Sequence, residues 1–118
     1  MSKIFVNPNI EEAETLPAVF YRNSSYFEEL KEKVFIKSWQ FVGHNSILPV
    51  NINTYPFEFI KNYIEEPLLL VKSEDEKIRC LSNVCTHRAN IIINNKGNVR
   101  DLRCMYHGRK FNLDGSFK

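Results

Sequence analysis

The chain has 118 residues, 43% apolar and 25% charged, with a formal net charge of +2. That length allows one domain with a modest core and not two, and so small a net charge gives no reason to expect nucleic acid as a partner. No apolar run approaches a membrane span and the N-terminus has no signal-peptide pattern, so a soluble, cytoplasmic chain is the expectation.

Residues 1–25 read as an N-terminal arm, polar and aperiodic as far as residue 15, with order beginning at Leu16 to Tyr21. Ser25-Tyr26-Phe27-Glu28 has the form of a capping box, the Ser25 hydroxyl taking the Glu28 amide and the Glu28 carboxylate returning to the Ser25 amide. Phe27, Leu30 and Val34 recur at helical period and predict a helix over 26–38, its other face filled by Glu28, Glu29, Lys31, Glu32, Lys33 and Lys37. Acids come early and bases late in that run, as the helix dipole favours. Trp39 to His44 reads as extended, with His44 a structural or surface residue rather than a ligand.

From Asn53 the pattern turns to strands. Tyr55 to Tyr63 alternates Phe57 and Phe59 against Glu58, Pro67 to Lys72 is a compact apolar run, and Ile78 to Asn83 follows an acidic turn. Ile91-Ile92-Ile93 is apolar, and Asn94 to Asn98 is a strong turn signal. Val99 to Arg103 and Arg109 to Leu113 complete the set, with Asp114-Gly115 as a hairpin turn.

Two loops between these strands carry the chemistry. Cys85-Thr86-His87-Arg88 offers Cys-x-His, and Cys104-Met105-Tyr106-His107-Gly108 offers Cys-x-x-His, with sixteen residues between His87 and Cys104. Two thiolates and two imidazoles suit zinc in a tetrahedron. They also suit a [2Fe–2S] cluster with both cysteines on one iron and both histidines on the other. Structural zinc knuckles usually pair like ligands, whereas here each loop is mixed, so that each can reach both irons; the spacing favours iron–sulfur. Three cysteines are an odd number, which argues against a disulfide framework. The third, Cys80, reads as a small buried hydrophobe in its strand.

Cys-x-His-Arg followed by Cys-x-Tyr-His-Gly resembles the Rieske signature, in the form carried by alpha subunits of Rieske non-heme iron oxygenases. Tyr26, Glu29, Phe35, Trp39, Val42 and Gly43 are similar to the entry of those subunits, and Phe111, Leu113 and Gly115 to their return after the second loop. The resemblance implies a mainly β Rieske fold of antiparallel strands over 39–118, C-terminally incomplete and preceded by one helix. It implies Cys85, His87, Cys104 and His107 as ligands of a Rieske [2Fe–2S] cluster, with Arg88, Tyr106 and Gly108 in support. Arg88 would order its loop by pairing with carboxylate or carbonyl groups, and Gly108 would keep a side chain from crowding the cluster. Two positions depart from the family, Ala89 for a glycine and Arg109 for a tryptophan.

The function implied is one-electron transfer to the mononuclear iron of a Rieske oxygenase, a mono- or dioxygenase acting with O2. That Fe(II) needs two histidines and a carboxylate. With His87 and His107 taken, only His44 remains, so the oxygenating site and its domain are expected beyond Lys118. A ferredoxin or flavin reductase as electron donor and a homotrimer of the full-length subunit are implied in the same way. The alternatives are a stand-alone Rieske ferredoxin and a zinc-stabilised interaction module. Arg88, Lys96, Arg100, Arg103, Arg109 and Lys110 could form a basic rim that steers an acidic donor. High-potential Rieske proteins carry a disulfide and a serine donor where this chain has Asn90, Tyr106 and Arg109. A midpoint near the bottom of the usual span, roughly −150 to +300 mV, is therefore expected.

Overall fold

The structure is a computed structural model that describes residues 4–118. Met1–Gln40 and Phe41–Lys118 are separate compact units.

The first unit is helical. α1 (Ala18–Arg22) and α2 (Ser24–Lys33) meet at Asn23, and a short 3-10 turn follows at Phe35–Lys37. The helix expected over 26–38 thus begins earlier and ends earlier. Its cap is Asn23 rather than Ser25. The Asn23 side chain accepts the Ser25 amide at 3.0 Å and the Ser25 hydroxyl at 2.7 Å, which takes that hydroxyl away from a capping box. Tyr26 is the buried residue of α2 and packs on Phe20 of α1, ring centroids 5.4 Å apart. Lys33 and Glu29 pair one turn apart at 2.6 Å on the solvated face. The first helix had no periodic signal, being only five residues long.

The second unit is mainly antiparallel β. His44 caps a 3-10 turn at Asn45–Ile47, its Nδ1 accepting the Ser46 amide at 3.2 Å, in line with a structural role. β1 (Thr54–Ile60), β2 (Ile64–Lys72) and β3 (Ile78–Ser82) form one sheet in that order. Pro56 sits in edge strand β1, where a missing amide is tolerated. Leu69 and Val71 of β2 are fully buried and centre the core. The β2–β3 turn is held by Asp75, whose carboxylate takes both nitrogens of Arg79 at 3.0 and 2.8 Å. Cys80 lies in β3 as expected but is exposed, not buried, because its side chain falls on the face away from Leu69 and Val71.

β4 (Leu102–Arg103) and β5 (Lys110–Phe111) pair as a two-residue ribbon, much shorter than the strands expected at 99–103 and 109–113. Side-chain amides do what longer strands would have done. Asn83 is buried and grips Ile93 at both backbone groups, accepting its amide at 2.9 Å and donating to its carbonyl at 2.7 Å. Asn53 grips Val99 in the same way, at 2.9 and 2.8 Å. Thr54, fully buried, adds its hydroxyl to the Gly97 carbonyl at 2.9 Å beside a backbone bridge to the same residue. These clamps fasten the connection between the two ligand loops to β1 and to the end of β3. After β5, Gly115 turns the chain with φ +91°, where a Cβ would come within 3.0 Å of Leu81.

Candidate metal centre

The two motif loops fold as the same turn. In the first, the Ala89 amide donates to the Cys85 carbonyl at 2.9 Å and the Cys85 amide to the Asn90 carbonyl at 2.8 Å. In the second, Gly108 donates to Cys104 at 2.9 Å and Cys104 to Arg109 at 2.8 Å. The fifth residue of each turn has positive φ, +51° at Ala89 and +75° at Gly108. Gly108 is there for that backbone conformation. Among the described residues, a Cβ on it would meet only the Arg103 side chain, at an ordinary 3.6 Å. Ala89 holds the equivalent place at a conformational cost of about 1–2 kcal/mol.

Equal turns with the histidine third in one and fourth in the other give a polar arrangement. Cys85 and Cys104 are both buried, 2% exposed, inside the core cluster with Leu69, Val71, Ile92, Leu102 and Phe111. His87 and His107 lie outside, exposed, with ring centroids 4.9 Å apart. Tyr106 stacks on His107 at 3.9 Å. The four predicted ligand residues thus form two close pairs, the two buried cysteines and the two exposed histidines.

The sulfur of Cys104 is the focus of several donors. The Tyr106 amide, ahead of the Cys85 thiol, the His107 amide and Asn90, holds the Cys104 thiol below its ordinary range, against burial, which pushes the other way. Asn90 reaches that sulfur from the other turn, Nδ2 to Sγ 3.7 Å. The turns are also tied by Arg109, whose guanidinium donates to the Thr86 hydroxyl at 2.8 Å and lies over the Phe117 ring at 4.9 Å. Arg88, expected to order its loop by pairing, is exposed and engages no carboxylate or carbonyl among the described residues. The cross-loop task falls to Arg109.

The Rieske [2Fe–2S] domain family matches residues 38–118. The chain belongs to that family. The carnitine monooxygenase oxygenase subunit of Escherichia coli (strain K12) is 39% identical over 109 residues, covering 92% of this chain and 28% of that protein. Biphenyl dioxygenase subunit alpha of Metapseudomonas furukawaii is 32% identical over 97 residues, 80% of this chain and 20% of that protein. Among solved structures, the apo form of the quaternary ammonium Rieske monooxygenase CntA superposes with a TM-score of 0.75 at 34% identity, covering 90% of this chain and 30% of that one. The chain thus spans under a third of the length of these relatives.

The residues fit a Rieske cluster on chemical grounds. Two adjacent buried sulfurs, one with N–H donors converging on it, can carry anionic charge away from water, while two exposed imidazoles can serve the other iron. Among the described residues, no three or more His, Cys, Asp or Glu side chains converge as a single ion would require. The Rieske turns hold their donors in pairs. Sequence reasoning missed Asn90 as a contact and Thr86 as a tether. The former could have been noticed because it follows the fifth residue of the turn, where its carbonyl must close on Cys85.

Proposed function

We propose that Cys85 and Cys104 hold one iron, and His87 and His107 the other, of a Rieske cluster that passes single electrons to an oxygen-activating iron. The observation that carries this is the pairing of buried sulfurs with exposed imidazoles on two equivalent turns. A [2Fe–2S] group bound there supplies one-electron storage. The residues do the rest. The cysteines exclude water from the sulfur side, the amides of Tyr106 and His107 bear on the Cys104 sulfur, and His87 and His107 present the edge at which electrons enter or leave.

The oxygenase reading is favoured over a free-standing Rieske carrier because similarity to the carnitine monooxygenase subunits extends over 109 residues, more than the domain match at 38–118 holds. Monooxygenation of a quaternary ammonium substrate is the leading expectation for the whole protein, since the carnitine enzymes are more similar than the biphenyl dioxygenase, 39% against 32%. The mononuclear Fe(II) lies outside these residues in this reading: with His87 and His107 on the cluster, His44 is the one histidine left where that iron needs two. No helix among the described residues is long and apolar enough to cross a membrane. A cytoplasmic location, a homotrimer of full-length subunits, and a ferredoxin or flavin reductase as donor belong to the same reading. The donor's docking surface would be the basic rim. Arg88, Lys96, Arg100, Arg103 and Lys110 are exposed, and an open groove lined by His87, His107, Arg109, Lys110, Phe117 and Lys118 adjoins the imidazoles.

The deciding experiment is visible and low-temperature EPR spectroscopy of anaerobically purified protein, before and after dithionite. A red-brown protein that bleaches and yields a rhombic reduced signal is expected. A colourless protein that holds stoichiometric zinc, and that cannot be reconstituted with iron and sulfide, would establish an interaction module instead.

A further inference from the structure

Asn90 hydrogen-bonds to both cysteines. Its carbonyl accepts the Cys85 amide at 2.8 Å, and its side-chain nitrogen lies 3.7 Å from the Cys104 sulfur on the opposite turn. The same nitrogen donates to the Ile91 carbonyl at 2.7 Å, which fixes the orientation of the amide: turned over, it would set oxygen against oxygen. One N–H is thus engaged by Ile91, and the second is free to point at sulfur.

We propose that Asn90 is a positioning residue that raises the midpoint potential by donating a hydrogen bond to the Cys104 sulfur across the two turns. An N–H donor stabilises whichever redox state places more negative charge on the sulfur, which is the reduced state. The proposal rests on Cys104 being a cluster ligand. It also refines the expectation of a low potential: the serine donor of high-potential relatives is absent, and a donor arrives instead from the first turn.

The test is a redox titration of the cluster-loaded 118-residue chain and of Asn90→Leu, which keeps the bulk and removes the donor, each followed by EPR. The reduced-to-oxidised ratio at a fixed poise should fall about tenfold in Asn90→Leu, a midpoint lower by about 59 mV for one electron, with the rhombic signal kept. A purely structural asparagine would lose cluster without moving the midpoint of what remains. An unchanged midpoint with an intact signal overturns the proposal. If Asn90→Leu holds no cluster, Asn90→Asp decides. A carboxylate facing the sulfur should lower the midpoint further, and an unchanged midpoint, or failure of both variants to load, overturns the tuning role. A wild-type chain without the rhombic signal would overturn the ligand assignment itself, a separable result.

Discussion

The Arg109 guanidinium donates to the Thr86 hydroxyl at 2.8 Å and so ties the turn that carries Cys104 and His107 to the turn that carries Cys85 and His87. Resemblance to the family leads one to expect tryptophan at 109, which carries a single N–H where arginine offers five. Removing either partner should cost about 0.5–1 kcal/mol, since the pair is exposed. A double-mutant cycle of Arg109→Ala and Thr86→Val, read by urea unfolding, should return a coupling of that size. Additive effects would show that the contact contributes nothing.

Ala89 occupies left-handed backbone at φ +51°, where its counterpart in the other turn is Gly108. Ala89→Gly should therefore stabilise the chain by about 0.5–1 kcal/mol, the relief of the left-handed penalty less the entropy of a freer unfolded state. Gly108→Ala should destabilise it by about 1 kcal/mol. Chemical denaturation of the two variants should move in opposite directions.

Asn83→Ala should be among the more damaging substitutions away from the ligands. It leaves the Ile93 amide and carbonyl without their partner beside a buried position, at about 2–4 kcal/mol for the two groups. Loss of cluster on storage should accompany the lower unfolding midpoint, because Ile91 to Ile93 follows directly on the first turn. A variant with wild-type stability would refute the clamp.

The Arg79 guanidinium beside Asp75 holds that carboxyl far below the usual carboxylate range. A carboxyl lowered in the folded state adds stability that is present above the unfolded value and is lost as pH falls towards the folded one. The Asp75 side chain should thus remain ionised in an NMR titration at a pH where unpaired carboxylates are already protonated. Arg79→Met should return its midpoint to the ordinary range.

Much of this was legible from residue pattern. β1, β2 and β3 fall close to the stretches where aromatic alternation and apolar runs indicated them. The four candidate ligands stood out because Cys and His carry their chemistry in their identity. What was hidden depends on contacts between distant segments. Asn53 to Val99 and Asn83 to Ile93 replace ladder bonds with side-chain amides, and no local signal distinguishes such an asparagine from one in a turn. The exposure of Cys80 depends on which face of β3 meets the core, and a five-residue strand with burial alternating only weakly leaves that open. Asn23 displaced Ser25 as helix cap because both can do the task, and α1 ends immediately before it.

The clamps at Ile93, Gly97 and Val99 carry one more implication, for how relatives of this chain should be recognised. Each ligand turn closes on itself within six residues, and the stretch between them is pinned at both ends to strands that precede the first turn. The interval from His87 to Cys104 is therefore an elastic quantity. Residues added around Asn94 to Lys96 would bulge outward from fixed anchor points, while the donors kept their places. A search that demands sixteen intervening residues would overlook such cousins. One that demands two rigid turns, each opening on cysteine, and an asparagine ahead of either anchored segment would find them.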